Sequence, residues 1–216
     1  MLLYALRKQL VAVTPPLKHF YEEKLLFALF HYPLLTDFWQ QELGENHWNL
    51  LQRVLPKTWI IDPRPLPPHG IIPGLTAHGR PVQTWQQLRD LSKSQRELVL
   101  KVSGFSPQAW GSRGVRIGHD LSQTEWQDAL SQSLSDFHQG TPHILQTFHK
   151  GARVSARYWH VEAANFQTMQ GRVRLCPYYF VNGGAAKLGG ALATICPLNK
   201  KLIHGMPEAI MVPVGV

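Results

Sequence analysis

The sequence predicts an α+β fold, in which helices and strands are mixed without the regular alternation of a parallel sheet. Apolar residues recur at helical spacing through residues 18–55. From residue 154 onward the chain consists of short β-prone runs separated by turns that contain Gly or Asn. A length of 216 residues and a hydrophobic content of 44% are sufficient for one large domain or two small ones.

The first part of the chain is expected to be helical. Residues 20–30 place apolar side chains on one helix face, and residues 37–54 predict a second helix that ends before Pro56. The run 58–61 is a strand candidate. The Pro- and Gly-rich stretch 62–81 predicts a loop or an extended connection.

Two capping signals mark helix starts in the middle of the chain. Thr84 is followed three residues later by Gln87, and Ser122 is followed by Glu125, which is the spacing of a capping box. We expect a helix after each. Strands are predicted at 98–100, 115–117 and 144–148.

Strands dominate the final third of the chain. They are predicted at 154–160, 171–181, 190–195 and 209–214. These changes divide the chain into an N-terminal helical segment (1–55), a middle α+β part (56–142) and a strand-rich part (143–216).

Cysteine usage and the N-terminus favour a cytoplasmic protein. Cys176 and Cys196 lie far apart without a CxxC motif, so they support neither a disulfide framework nor a zinc site. No apolar run approaches the length needed to cross a bilayer. Arg7 and Lys8 interrupt the apolar start, where a signal peptide would be uninterrupted. We therefore expect a cytoplasmic protein with no membrane partner.

The net charge of +8 favours anionic partners, and nucleic acid is the first to weigh. The 22 Lys and Arg residues are spread along the chain, and no helix-turn-helix, zinc-finger or RRM pattern accompanies them. A nucleotide, an acidic small molecule or another anionic partner accounts for the charge equally well, so nucleic acid is the less favoured partner. The nearest approaches to a cluster are Arg153 with Arg157, Arg172 with Arg174, and Lys200 with Lys201.

Residues 98–118 (LVLKVSGFSPQAWGSRGVRIG) have the pattern strand, glycine-bearing loop, strand. Lys101 leaves the first strand beside a loop whose glycines allow the backbone to approach a ligand closely. A lysine ammonium and successive backbone N–H groups can together hold a polyphosphate. The alternative is a hairpin with a long turn and an incidental lysine.

The order of these parts resembles the glutathione-synthetase-like nucleotide-binding core of ATP-grasp enzymes. Glu23-Lys24 before a helix and PKTW at 56–59 are similar to that family's early elements. Residues 98–118 resemble its strand, glycine-rich loop and second strand, and HILQTF at 143–148 is similar to its adenine-binding hinge. The resemblance implies two small α+β subdomains with antiparallel strands around a nucleotide cleft.

The resemblance also implies roles for individual residues, with ATP and Mg²⁺ as cofactors. Lys101 would contact the α- or β-phosphate, and Lys24 would be a second cation beside the phosphates. Gln146 and Phe148 would line the adenine pocket. A mobile loop closing over the triphosphate, with Trp110 gating the site or packing, would include Gly104, Ser106, Gly111, Ser112 and Gly114.

By the same resemblance, Arg172 or Arg174 would be catalytic, steadying the γ-phosphate or an acyl phosphate formed on a carboxylate substrate. The family holds Mg²⁺ with an acidic residue and a Glu-x-Asn-like pair, which this chain lacks. Glu162 precedes Asn165 by three positions, and Glu208 lies near the end. The metal ligands are therefore unassigned. The chain resembles a truncated or degenerate ATP-grasp core that another chain or domain completes.

Three functions stay open. The first is an ATP-binding fragment or relative of a carboxylate–amine or carboxylate–thiol ligase, with little or no ligase activity of its own. The second is a non-catalytic module that binds a partner. The third is a basic protein that binds nucleic acid through its Lys and Arg side chains.

Overall fold

The computed structural model describes residues 1–11, 13, 19–103, 105–109, 111–200 and 208–215. It divides the chain into two compact units, Met1–Phe148 and His149–Val216. The fold is α+β with antiparallel sheets, which confirms the predicted class. Within the described ranges, no helix has both the length and the apolar character that crossing a membrane requires.

The first unit combines helices with a sheet. Its helices are α1 (Leu2–Arg7), α2 (Leu25–Phe30), α3 (Thr36–Val54) and α4 (Gln123–His138). Its strands are β1 (Thr58–Ile60), β2 (Thr76–Ala77), β3 (Arg80–Pro81), β4 (Leu98–Val102), β5 (Val115–Ile117) and β6 (His143–Thr147). The main sheet has the order β1-β6-β4-β5, and all its neighbouring strands are antiparallel.

The two predicted capping boxes are both present. The backbone N–H of Glu125 donates to Ser122 Oγ at 3.2 Å, and the Ser122 N–H donates to the Glu125 carboxylate at 2.8 Å. The Thr84 box is followed only by a short 3-10 turn, Trp85–Leu88. A new capped turn begins at Ser92, which leaves no room for the longer helix that the apolar spacing predicts.

The core of the first unit lies between the main sheet, α4 and the segment 61–91. Leu100 of β4, Leu145 of β6 and Trp126 of α4 are almost completely buried there. The Trp126 indole N–H donates to the carbonyl of Leu88 at 2.7 Å, so its polar atom is satisfied inside the core. Burial of a large apolar side chain contributes about 1.5–3 kcal/mol, and this cluster is therefore the main apolar contribution to stability in the unit.

The second unit is an antiparallel sheet with the order β10-β9-β8-β7. Its strands are β7 (Arg153–His160), β8 (Asn165–Asn182), β9 (Ala185–Pro197) and β10 (Ile210–Val214). β8 and β9 are longer than the sequence predicts. Gly183 and Gly184 alone form the turn between β8 and β9, at φ of +61° and +81°. Within β9, Gly189 lies against the Phe180 ring, and a Cβ at this position would be 2.4 Å from that ring.

The unit boundary differs from the predicted divisions at 55/56 and 142/143. Residues 143–147 form β6, which pairs with β1 on one edge and with β4 on the other. A strand with two partners belongs to the sheet that it completes, so this segment is part of the first unit. Helix α2, assigned from the sequence to a separate N-terminal segment, packs against β1 and β6.

Candidate anion-binding site

Lys101 lies on β4 at a position that the strand pattern explains. Leu98 and Leu100 belong to the buried core, and the alternation of side chains places Lys101 on the opposite face of the sheet. Gln146 of β6 and Thr58 of β1 share that face, and these two residues are directly paired. The sheet thus sets three polar side chains in one row.

A chain of hydrogen bonds fixes this row. The Lys101 ammonium donates to Gln146 Oε1 at 2.6 Å, Gln146 Nε2 donates to Thr58 Oγ1 at 2.8 Å, and the Thr58 hydroxyl donates to the Pro56 carbonyl at 2.8 Å. Because an ammonium can only donate, it dictates the orientation of the amide, and each later bond follows from the first. The buried Gln146 and Thr58 side chains are satisfied, and the network holds Lys101 in place.

Lys24 brings a second ammonium to the loop that follows β4. Its Nζ donates to the carbonyl of Ala109 at 2.8 Å. The adjacent Glu23 carboxylate accepts hydrogen bonds from the Ser103 hydroxyl and, at 3.0 Å, from the backbone N–H of Phe105. The pair Glu23-Lys24, the least specific part of the sequence pattern, therefore holds the loop at two points.

The electrostatics of the two lysines favour a bound anion. Burial lowers the pKa of Lys101, and the Lys24 ammonium lowers it further. Burial also lowers the pKa of Lys24, against the opposing effects of Glu23 and Glu22. Lys101 forms no salt bridge with any described residue, and its acceptor is a neutral amide. A phosphate oxygen would supply the charge-assisted partner that this ammonium lacks.

Gly114 closes the predicted phosphate loop for a packing reason. It is buried, and a Cβ at this position would lie 2.6 Å from Val102 Cγ2 and 2.7 Å from the carbonyl oxygen of Gln108. Its backbone carbonyl accepts the N–H of Val102 at 3.0 Å. Only glycine allows the loop to return this close to β4.

Ser106, Gly111 and Ser112 shape the rest of the loop. The Ser106 hydroxyl accepts a backbone N–H two residues later at 3.3 Å, next to the short turn Pro107–Ala109. Gly111 and Ser112 both adopt a φ of +61°, which is unusual for the serine. Gly104 and Trp110 lie outside the described residues, and closure of the loop over a ligand stays a prediction.

The residues predicted to bind adenine lie at the end of β6. Gln146 uses its side chain in the network with Lys101. The backbone N–H groups of Thr147 and Phe148 donate at 2.9 Å to carbonyl oxygens of neighbouring segments. The Phe148 ring contacts the His119 ring edge-on, with centroids 4.7 Å apart. Because these N–H groups already have partners, adenine here would meet the Phe148 ring and carbonyl oxygens.

The predicted catalytic arginines lie in the other unit. Arg172 and Arg174 are two residues apart on β8, so they share one face of its sheet. Arg172 Nη1 donates to the carbonyl of Gly151 at 2.8 Å. The structure therefore brings Lys24, Lys101 and Gln146 together in the first unit and places the two arginines on the second sheet.

No set of metal ligands is formed by the part of the chain that the structure describes. There, no three His, Cys, Asp or Glu side chains converge on a common point. Glu208 lies 3.5 Å from the Lys200 ammonium, and Glu162 is exposed in the turn after β7. Neither belongs to the oxygen cage that Mg²⁺ requires, so these carboxylates do not fit the expected magnesium site.

A pocket of about 460 Å³ lies beside β1, and no sequence pattern predicts it. Trp59 and Trp85 contribute to its mostly apolar wall, which also includes Thr58. At its edge the Arg64 Nε donates to the Asp62 carboxylate at 2.9 Å, and this bond lowers the pKa of Asp62. Because the two charges neutralise each other, this pocket offers no net charge to an anion. The Pro- and Gly-rich stretch 62–81 supplies part of the pocket wall, but its sequence predicts only a loop or an extended connection.

No protein-family model matches the chain, and comparisons with curated proteins and with solved structures give no match either. The geometry and chemistry of the site are therefore the basis for its function.

Proposed function

We propose that the chain binds an adenine nucleotide through an ATP-grasp-like site, with Lys101 and Lys24 facing the phosphates. The observation that carries the proposal is the Lys101 ammonium, which is partly buried, held by a neutral amide, and close enough to a second ammonium for their charges to interact. A desolvated cation without a counter-charge is unfavourable, and a bound phosphate would remove that cost.

The nucleotide part of the proposal is supported by the order of the elements along the chain. The strand β4 that carries Lys101 is followed by a glycine-bearing loop and by the strand β5. β4 lies next to β6, whose end presents the Phe148 ring. Gly114 permits the close return of the loop. The catalytic roles that the resemblance implies for Arg172 and Arg174, which lie on β8 of the second unit, stay predictions.

Binding without turnover is the expected activity of this chain. Phosphoryl transfer needs Mg²⁺ together with an aligned acceptor, and the described carboxylates form no such ligand set. The site residues therefore hold and orient a nucleotide. A ligase reaction would require groups from another chain or domain, and ADP release from the purified chain with amino acids, peptides or polyamines should be negligible.

The test compares two partly buried lysines. ATP at a hundredfold excess over its Kd should stabilise the chain by about 2.7 kcal/mol, seen as a rise in the thermal midpoint. Lys101→Met should abolish this rise. Lys57→Met is the matched control, because burial also lowers the pKa of Lys57, and it should leave the rise unchanged.

Two further ligands identify the part of ATP that is recognised. Tripolyphosphate should compete with ATP, whereas adenosine should compete more weakly. ATP affinity should also fall on the alkaline side at a pH below the ordinary lysine pKa of about 10.4, because Lys101 loses its proton early. An absent thermal shift at millimolar ATP, or equal loss in both lysine variants, would contradict the proposal.

A further inference from the structure

Strand pairing in the second unit gathers arginines that are scattered along the sequence. Directly paired residues of antiparallel strands project from the same face. On β7 and β8, Arg153 is paired with Arg172 and Trp159 with Phe166, while Arg157 lies between them on the same face. The face that carries these side chains, here termed the arginine face, consists of Arg153, Arg157, Trp159, Phe166, Arg172 and Arg174.

The arginine face is the more exposed side of these strands. Along β7 the side chains on this face, Ser155 included, are exposed, and the alternate side chains Val154, Ala156, Tyr158 and His160 are half-buried. The other face is packed around Gly171, where a Cβ would be 2.6 Å from both the Cys196 carbonyl oxygen and the Ile195 side chain. Because successive side chains of a strand point to opposite faces, these strands have one packed face and one exposed, charged face.

Acidic residues are missing from the two strands that form the arginine face. The positions between its arginines are Ser, Thr and Gln, and neither β7 nor β8 contains Asp or Glu. Arg153, Arg157 and Arg172 form no salt bridge within the described chain. Like charges directly opposite each other on a sheet are destabilising. A bound polyanion would therefore reduce the repulsion between the Arg153 and Arg172 guanidinium groups.

Two exposed aromatic rings adjoin the arginines. Trp159 is 52% exposed and Phe166 is 64% exposed, and their ring centroids are 5.2 Å apart. The Arg157 guanidinium carbon lies 5.0 Å from the centroid of the Phe166 ring. Unpaired bases stack on such rings and on guanidinium planes. An acidic protein surface could form ion pairs with the arginines, but it has no bases to stack on the Trp159 and Phe166 rings.

We propose that the arginine face binds single-stranded nucleic acid. Phosphates would contact Arg153, Arg157 and the arginines of β8, and bases would stack on Trp159 and Phe166. The eight residues of β7 span about 27 Å at roughly 3.4 Å per residue, which accommodates a short run of nucleotides. The inference does not depend on the nucleotide site at Lys101.

The experiment measures the fluorescence anisotropy of a labelled twelve-nucleotide oligouridylate with the full chain. Each arginine–phosphate interaction with a single strand contributes about 0.7 to the slope of log K against log salt. Arg153→Gln/Arg157→Gln should therefore weaken binding and reduce this slope by about 1.4. The charge-matched control Arg53→Gln/Arg80→Gln, at exposed sites in the first unit, should leave Kd and slope nearly unchanged.

The aromatic variants distinguish nucleic acid from other polyanions. Trp159→Ala should weaken oligouridylate binding by about tenfold, within the range found for removal of one base–aromatic stack, and Trp159→Phe should restore most of it. Duplex of equal length and poly-glutamate should compete poorly. Absence of binding, equal competition by poly-glutamate, or unchanged affinity in Trp159→Ala would each overturn the proposal. Circular dichroism of each variant confirms that the sheet is intact.

Discussion

The two units differ in what covers their sheets and in the charge they carry. Residues 1–148 contain fourteen Lys and Arg against twelve Asp and Glu, whereas residues 149–216 contain eight against two. The first sheet packs on a cluster of buried Trp and Leu side chains. The second leaves large side chains such as Phe166, Tyr179 and Phe180 exposed. The chain thus separates its main apolar core from most of its net charge, and substitutions in the two units should have different consequences.

Removing a tryptophan should show the largest contrast. Trp126→Ala deletes a side chain of 0% exposure and its hydrogen bond to Leu88, so it should lower the free energy of unfolding by about 3–5 kcal/mol. Trp159→Ala removes a ring that is half exposed and should cost at most about 1 kcal/mol. Urea unfolding followed by circular dichroism gives both values. Similar losses would show that the second sheet has a core as important as the first.

A pair of glycine substitutions tests the same contrast through backbone packing. Gly114→Asn forces a side chain against Val102 and should cost about 1–3 kcal/mol or more. Gly184→Asn introduces a residue that tolerates positive φ into open space, so it should change the unfolding free energy by about 0.5 kcal/mol or less. If Gly184→Asn were the more damaging change, the tight packing assigned to the β4 loop would be wrong.

Acid should destabilise the first unit through two buried histidines. Burial lowers the pKa of His31 and of His143, although the Asp136 carboxylate opposes the shift at His143. The unfolded chain therefore binds protons more readily. The stability that the two neutral histidines contribute is fully present above about pH 6.5, and it is lost as the pH falls towards their pKa values in the folded chain.

Urea midpoints at pH 7.5, 6 and 5 measure this effect. His143→Gln should make the midpoint less sensitive to pH, and His47→Gln, at an exposed site on α3, should leave the profile unchanged. A wild-type pH dependence that persists in full in both His31→Gln and His143→Gln would contradict this assignment.

The smallest expected effect is a gain in stability. Arg153→Thr removes one of two arginines that are directly paired across β7 and β8. The second unit should become more stable by about 0.2–1 kcal/mol, while oligouridylate binding weakens. Thermal unfolding at low and high salt measures the first effect, and the difference between wild type and variant should shrink as salt screens the repulsion. A destabilised variant would mean that packing of the arginine stem outweighs its charge.

Local features of this fold could be predicted from the sequence. The strands on both sides of the 103–114 loop, the Ser122 capping box and the C-terminal strands all depend on residues within a few positions of one another. Period-two and capping patterns encode such elements directly. The sequence also indicates Lys101 and Lys24 as cations near one loop, and the structure places Lys24 on that loop through Ala109.

Features that depend on strand pairing could not be predicted in the same way. The sequence pattern places Gln146 and Lys101 at opposite ends of a nucleotide, yet they are hydrogen-bonded to each other. The membership of β6 in the first sheet and the pairing of Arg153 with Arg172 both follow from strand order and register. A one-residue slip in register would move every side chain to the other face. The pocket beside β1 likewise requires distant segments to come together.

The order β1-β6-β4-β5 has a consequence for how the chain folds. Thr58 of β1 pairs with Gln146, 88 positions later, whereas β8 and β9 are joined by two glycines. Closing a long loop costs entropy before any contact compensates for it, and distant pairings slow folding. When the complete chain refolds, the hairpin of β8 and β9 should therefore form before the sheet of β1, β6, β4 and β5. During synthesis β1 has no partner until residue 147 has left the ribosome. A chain that stopped before β6 would expose the unpaired edges of β1 and β4. Exposed strand edges of this kind promote aggregation.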